Sequence, residues 1–589
     1  MRNALNNRRD RRRYSVQPVN FQAIMLAVGL CCSPRAGVAI QNIPDATSPH
    51  VSSGMWLLKS GDFAAAKLQF SAAIKVNPHS ADALTWRGIA ENELKQFGQA
   101  VQDFDAALRI HPDDLPAHYN LALSLIRLGE RDRAIDQLRE VVRLRPGAPE
   151  PKYNLAILLE EKQATGEAIE LLGAAYKARP DDVSVLQHLA VDLAAAGRAE
   201  DAEPMLEQLR KGSSPETLRQ VAESLLKADD AKQAVPLLET AAVQTEVNRE
   251  KNPEIATLLA RAYIAIHEDA KAIDLLKSLK TPDSSGRVSY LLGLAYLDMG
   301  VNLDAKEAFE RASKTNPSNG TAFYHLALLE SASAEYLPEA IGHLRAAVRT
   351  DPDNPRFGIA LARLLLEKDD ANGALPVLNR IHPTGREAGE RDLLLGIAQI
   401  IESGPAKAIP ALEHAVTEDP TLALSFNMLG FCYFTQGDMN KAARAYAKSS
   451  NLSPQTRLFA HSAAVAFDRA SDVEQAMAYA ARAAALPAAN DKDHDLYGKL
   501  LANAGRREDA IRELQEAIML NPNLEEAYYL LGRTYMQGGD SALATAWFDK
   551  LKQLKQTNRE TGEHSSHETR PTSSSVLLQG APAASADSP

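Results

Sequence analysis

The residues of this chain with the greatest chemical reach are few and scattered. His564 and His567 sit close together in a His-Ser-Ser-His-Glu stretch near the C-terminus. Two imidazoles so spaced are able to take a transition metal, but two ligands in a polar tail leave the site open and solvated, so no metal site is expected. Adjacent carboxylates occur at Glu160-Glu161 and Asp369-Asp370. General acid–base chemistry needs a partner that fixes such a pair against a substrate, and nothing in the local sequence supplies one. The phosphate-binding GxxxxGK[ST] loop, GxGxxG, HExxH and GxSxG are all absent. No catalytic residue, cofactor or metal is therefore expected, and the chain reads as a non-enzyme. What remains is a row of tyrosines: Tyr119, Tyr153, Tyr290, Tyr324 and Tyr529, with Asn120 and Asn154 following two of them. A tyrosine joins apolar area to a polar tip, which suits a binding anchor. An amide beside it can pair with an extended peptide backbone. The alternative reading is ordinary packing between helices.

Charge and cysteine content narrow the partners. The first 39 residues hold seven Arg and one Asp, and the remainder carries 58 basic against 75 acidic side chains, a net of −17. A body that acidic repels phosphate backbones, so no nucleic-acid partner is expected. Cys31 and Cys32 lie in the N-terminal segment and Cys432 is alone in the body, which excludes an intramolecular disulfide or thiolate cluster there.

The tyrosines' spacing leads to the elements that carry them. Tyr119 and Tyr153 are 34 residues apart, as are Tyr290 and Tyr324. So are Pro78, Pro112, Pro146 and Pro180 in succession, and Pro420 and Pro454. Internal periods of this length signal a stack of identical supersecondary units. Four segments show the unit: Ala81–Asp114, Leu115–Ala148, Pro149–Asp182 and Ala423–Thr456. In the second, Leu121, Ala122 and Leu125 share one face of a first helix, Gly129 marks a turn, Ala134, Leu138 and Val141 share a face of a second helix, and Pro146 stops it. Small residues recur at the eighth position (Gly88, Ala122, Ala156, Gly293, Gly430), where two helices must approach closely. Glycine recurs at the fifteenth (Gly61, Gly129, Gly197, Gly300, Gly437, Gly505), which suits a left-handed turn. Alanine recurs at the twentieth (Ala66, Ala100, Ala134, Ala168, Ala202, Ala305, Ala442, Ala476, Ala510), at the helix crossing.

This pattern resembles the tetratricopeptide repeat (TPR). The resemblance implies an all-α, right-handed superhelical TPR solenoid of about fifteen helix-turn-helix repeats, and a concave groove lined mainly by the first (A) helices. The stretch Ala117–Ala122, AHYNLA, is similar to the repeats of O-GlcNAc transferase, but only about thirty residues follow the array, so that enzyme's catalytic domain is not expected. The outer-membrane barrel that accompanies similar arrays in bacterial polysaccharide-export proteins is likewise not expected. Family positions that form a carboxylate clamp for chaperone tails hold Thr85, Ile89, Asn120, Glu150 and Asn154, of which only Asn120 fits. The candidate partner-binding residues are thus Tyr119, Asn120, Tyr153, Asn154, Tyr290, Tyr324 and Tyr529.

The chain divides as follows: residues 1–39, a signal peptide; 40–46, a short linker; 47–214, regular array; 215–285, divergent repeats with an insertion near Glu246–Asn252; 286–354, array; 355–390, a divergent repeat; 391–555, array; and 556–589, a disordered Ser/Thr/Pro/Ala-rich tail. The pattern loosens in the divergent stretches, where the array either kinks or divides into two segments. The N-terminus runs from an Arg-rich start, through an apolar run from Ala23 to Cys32, to small residues ending at Ala39. That order is that of a secretory signal, with cleavage expected after Ala39. Arg11-Arg12-Arg13 leaves a twin-arginine route open, and an uncleaved membrane anchor or a disordered basic tail are the alternatives. The expectation is an exported protein, periplasmic or secreted, that binds proteins or peptides. Its alternative role is as an accessory subunit docking on an envelope-assembly or polysaccharide-secretion complex.

Overall fold

The computed structural model describes residues 48–246 and 251–561. Among them the chain forms fifteen consecutive helix pairs and no strand. The fold is the expected all-α solenoid of helix-turn-helix repeats. The regular pair is a 13- or 14-residue A helix and a 14-residue B helix, as in Leu115–Leu128 and Arg131–Leu144. B helices end two residues before the proline: Ile110 before Pro112, Leu144 before Pro146, Leu452 before Pro454.

Each repeat is locked by a small residue at the twentieth position. The nine alanines read from the sequence are all fully buried, and Ala234, Ala272, Ala340, Ala374, Ala408 and Ala544 complete the set in the remaining repeats. The divergent stretches therefore keep the repeat while losing its punctuation. Two of their B helices are short, 9 residues in Asp269–Lys277 and 10 in Ala371–Arg380, while Ala231–Thr245 has 15. The expected boundary at 390 falls inside one long A helix, Arg386–Ser403.

The turn between helices is left-handed wherever a fifteenth position is regular. Gly129 has φ +83°, and the six non-glycine residues of positive φ among the described residues are the same position in other repeats: Lys95, Gln163, Asp229, His267, Asp369 and Ser471. The turn is imposed by the pairing of the helices, and glycine only removes its steric cost.

A second matching runs between helices A and B. Gly54, Gly88, Gly293, Gly430 and Gly532 at the eighth position each face an aromatic ring of their own B helix: Phe70, Phe104, Phe309, Tyr446 and Phe548. A Cβ at Gly293 would stand 2.5 Å from Phe309. Where the eighth residue is alanine, as at Ala122 and Ala156, the residue at the ring's offset is leucine, Leu138 and Leu172. Elsewhere glycine faces leucine, Gly396 against Leu412 and Gly498 against Leu514, so volume is matched at some crossings and not at all of them.

The array divides into two compact units, with the change at residues 272–281, inside the first stretch where the sequence pattern loosens. Within each unit, neighbouring repeats that touch through like helices do so through their A helices; the exception is the B-helix contact between Ala199–Gly212 and Ala231–Thr245. The last helix, Ser541–Thr561, runs past the expected array end at 555. Its apolar stripe continues through Leu551 and Leu554, and Asn558 donates to Glu525 at 3.0 Å, so the helix still has a neighbour to pack on. The expected signal segment and linker, His564 and His567, and the residues beyond 561 lie outside the described residues, as does most of the expected insertion. Among the described residues no helix is long and apolar enough to cross a membrane.

Candidate functional site

The polar residues of the first unit's A helices are arranged as a ladder between neighbouring helices. Thr85 donates to Asp114 at 2.8 Å. Asn92 donates to the Asn120 carbonyl at 3.3 Å and accepts from Ser124 at 2.7 Å. Asn154 donates to the Tyr119 hydroxyl at 3.1 Å. Side chains of successive A helices meet because 34 residues of helix, turn and helix return the chain to the same height one repeat on. A partly buried polar group between two such helices costs free energy unless the next repeat supplies its partner.

This geometry decides what the sequence left open for several candidates. Asn120 is buried, and its amide donates to the Pro116 carbonyl of its own helix at 2.9 Å. Tyr119 and Asn154 are brought together and serve each other across the repeat step. Burial holds the Tyr119 hydroxyl above its usual pKa, with Asn154 opposing. Tyr153 stands edge-on to His188 with ring centroids 5.6 Å apart, and burial, reinforced by Glu160 and Asp182, pushes its hydroxyl up to about 12.

In the second unit Tyr290 and Tyr324 converge on one imidazole. Tyr290 lies 6.0 Å and Tyr324 5.4 Å from the His325 ring, which stacks on Phe309 at 5.3 Å. Burial drives His325 down to about 4, with Arg356 adding to the effect, so the ring is neutral at pH 7 and packs as an aromatic. Tyr324 also tilts against Phe357 at 5.5 Å. Tyr529 differs: it is 50% exposed on the last A helix, Glu525–Gln537, and Met536 on the same helix is 47% exposed.

Buried carboxylates form a second set of features that sequence reasoning missed. Asp493, on the helix Asp491–Asn503, accepts from Arg457 at 2.9 Å, from His461 at 2.8 Å and from the Asn490 backbone N–H at 2.9 Å. Burial alone would raise its pKa; the donors from His461 and Asn490, with the Arg457 charge, outweigh it and hold the carboxyl below its usual range. Glu330 meets His343 at 2.7 Å and Lys306 at 3.2 Å, and Asp392 meets His414 at 2.5 Å. In the first unit His188 Nδ1 lies 3.0 and 3.1 Å from the two Glu160 oxygens. Such pairs join residues 13 to 36 positions apart in the chain, so no short motif announces them. Their common chemistry is compensation of a buried charge by a neighbouring helix, which serves stability and register.

Comparison with known proteins agrees with this architecture. Models described as tetratricopeptide repeat match residues 54–114, 119–183, 290–355, 332–391, 423–456, 498–539 and 525–558, together more than half of the chain. A Xenopus laevis tetratricopeptide repeat protein 37 is 27% identical over 33% of this chain and 13% of its own length. The mouse Superkiller complex protein 3 is 24% identical over 31% of this chain and 12% of its own length. This chain thus spans about an eighth of those two relatives. The bovine BBSome complex member BBS4 is 24% identical over 62% of this chain and 69% of its own length. Among solved structures, a MamA from Desulfovibrio magneticus is 19% identical, covering 29% of this chain and 96% of its own, with a TM-score of 0.27. The Naa15/Naa10 assembly bound to HypK covers 90% of this chain and 99% of the matched one at 14% identity and a TM-score of 0.29.

Proposed function

Since the chain belongs to the tetratricopeptide-repeat family, whose arrays are protein-interaction scaffolds, we propose that it is a non-enzymatic scaffold that holds a protein or peptide partner on its A-helix face. The observation that carries this reading is the exposure of Tyr529 and Met536, 50% and 47%, on one A helix. An aromatic and a thioether left half in water on a helix whose opposite side is packed are the residue types that anchor partners. Tyr119, Tyr153, Tyr290 and Tyr324 hold neighbouring helices together, each within its own unit. The acidic body disfavours a nucleic-acid partner.

The compartment proposed is extracytoplasmic. The basic start, the apolar run and the small residues ending at Ala39 support cleavage there, giving a mature N-terminus at Ile40. Mass spectrometry of the native protein reads that terminus, and an intact Met1 end in a soluble cytoplasmic fraction would overturn the assignment. The scaffold reading is tested by titrating the partner captured from native extract against wild type and Tyr529→Ala with Met536→Ala. A loss of about tenfold or more in affinity with unchanged helical content supports the A-helix face. Unaltered affinity places the partner elsewhere.

A further inference from the structure

The two ends of the array break a rule that its interior keeps. Between interior repeats, the twelfth residue of one A helix meets the tenth residue of the next: the Ser124 hydroxyl donates to Asn92 at 2.7 Å. The fifth residue meets the sixth of the next, as Asn154 donates to the Tyr119 hydroxyl at 3.1 Å. A neighbouring repeat therefore covers these positions. At the tenth position Ala90, Ser124 and Leu158 in the first unit, and Ala466 and Leu500 in the second, are all buried. The first A helix, Ser48–Lys59, has no repeat before it among the described residues, and its tenth-position residue is Trp56, 68% exposed. The last A helix, Glu525–Gln537, has none after it among the described residues, and its fifth and twelfth residues are Tyr529 and Met536. A solenoid ordinarily ends on polar faces, because an uncovered apolar end draws another surface to it. Here one end offers an indole at the position that turns toward a preceding repeat. The other offers a phenol and a thioether at the positions that turn toward a following one.

We propose that the partner of the Tyr529 and Met536 face is a second copy of this chain, whose first A helix stacks there as a following repeat would. The proposal rests on the reading of Tyr529 and Met536 as docking residues and names what docks. The interior register sets the contacts. The twelfth-to-tenth contact brings the Met536 thioether onto the Trp56 indole of the second copy, a favourable sulfur–aromatic pairing. The fifth-to-sixth contact brings the Tyr529 hydroxyl to the exposed hydroxyl of Ser52, where either oxygen can donate. The charges are compatible. Interior repeats pair the twenty-fifth position with the nineteenth of the next, Arg139 with Glu167 at 3.0 Å, and the seventeenth with the thirteenth, Arg131 with Glu161. Between two copies the same offsets bring Asp549 to Ala65 and Ser541 to Lys59, so no like charges meet at either place. The contact is heterologous: each copy gives its first helix and receives on its last repeat.

The experiment is sedimentation velocity of the full chain from about 1 μM to about 100 μM, for wild type, Trp56→Ala, and Tyr529→Ala with Met536→Ala. All three residues are 47% exposed or more, so their truncation leaves the core intact, and circular dichroism checks the helical content. Wild type should associate as concentration rises, and each variant alone should associate at least about tenfold more weakly. An equimolar mixture of the two variants should then form one-to-one pairs that grow no further, since one supplies an intact last repeat and the other an intact first helix. A wild type that stays monomeric, a Trp56→Ala that associates like wild type, or a mixture that stays monomeric would overturn the second copy as partner. The scaffold reading fails separately. A monomeric wild type whose Tyr529 and Met536 variant loses a captured protein keeps the docking face and replaces its occupant.

Discussion

The matching of glycine to aromatic rings across the helix crossing gives the sharpest test of how the repeats hold together. In the eighth repeat, Gly293 on the helix Arg287–Asp298 faces Phe309, which is fully buried on Asn302–Thr315. The Cβ of Gly293→Ala would lie 2.5 Å from the ring, where carbon atoms normally stand ~3.5–4.0 Å apart. About 1 Å of relief must come from a ring with no free volume around it, which puts the overpacking cost near the upper end of ~1–3 kcal/mol. Alanine returns ~1 kcal/mol in helix propensity, so the net loss is about 2 kcal/mol. Phe309→Leu alone leaves space where the ring was and costs about 1 kcal/mol. The double variant reproduces the pairing of Ala122 with Leu138 in the third repeat, so it should return to within about 1 kcal/mol of wild type, with a coupling of about 2 kcal/mol. Denaturant unfolding of the four proteins, with amide exchange across 287–315 to localise the effect, measures the cycle. Additive single and double variants would refute volume matching at this crossing.

Other substitutions probe the helix crossing, the turns and the buried charges. Ala134→Leu forces volume into a site with no exposed surface and should cost about 1–3 kcal/mol, whereas Glu140→Ala removes an exposed pair with Arg143 and should cost less than about 0.5 kcal/mol; equal shifts in denaturation midpoint would mean the register is wrong. Gln163 has φ +63° in the position where other repeats have glycine, so Gln163→Gly should stabilise by about 0.5–1 kcal/mol in urea unfolding, and any destabilisation would show that the left-handed turn is not strained there. Asp495 is raised to about 7, by burial first and by Glu526 next, with one buried oxygen unpaired. Its contribution to stability is present when protonated and lost as pH rises from about 4 to about 7, so Asp495→Asn should add about 1–3 kcal/mol at pH ~8 and almost nothing at pH ~4. A constant difference between those pH values would sink that assignment.

The repeat itself was legible because its signals are local. Pro146 stops a helix, Gly129 bends a turn and Ala134 fits a crossing whatever the rest of the chain does, since each acts on its own backbone or on a helix a few residues away. The same logic found the loosened stretch within which the division into two units falls, through its missing prolines and the insertion near Glu246–Asn252. It stopped the last repeat at 555, where the apolar stripe ends with Leu551 and Leu554, although the helix itself runs on to Thr561. The left-handed turns at Lys95 and Gln163 carry no glycine, so residue type alone did not reveal them.

The A-helix face was only half legible. A 34-residue period predicts that Tyr119 and Tyr153 occupy equivalent places, but what each touches depends on how far one repeat rotates against the next. That rotation is the sum of packing along both helices and is written in no single motif. It puts Asn154 against the Tyr119 hydroxyl, folds Tyr290 and Tyr324 around His325, and leaves Tyr529 in water because no further repeat packs over it among the described residues. It also sets Glu160 beside His188 and buries one carboxylate oxygen of Asp192. Composition gave these residues their charges; only the stacking of helices deprived them of water, and burial is what turns a common Asp into a group that titrates near neutrality.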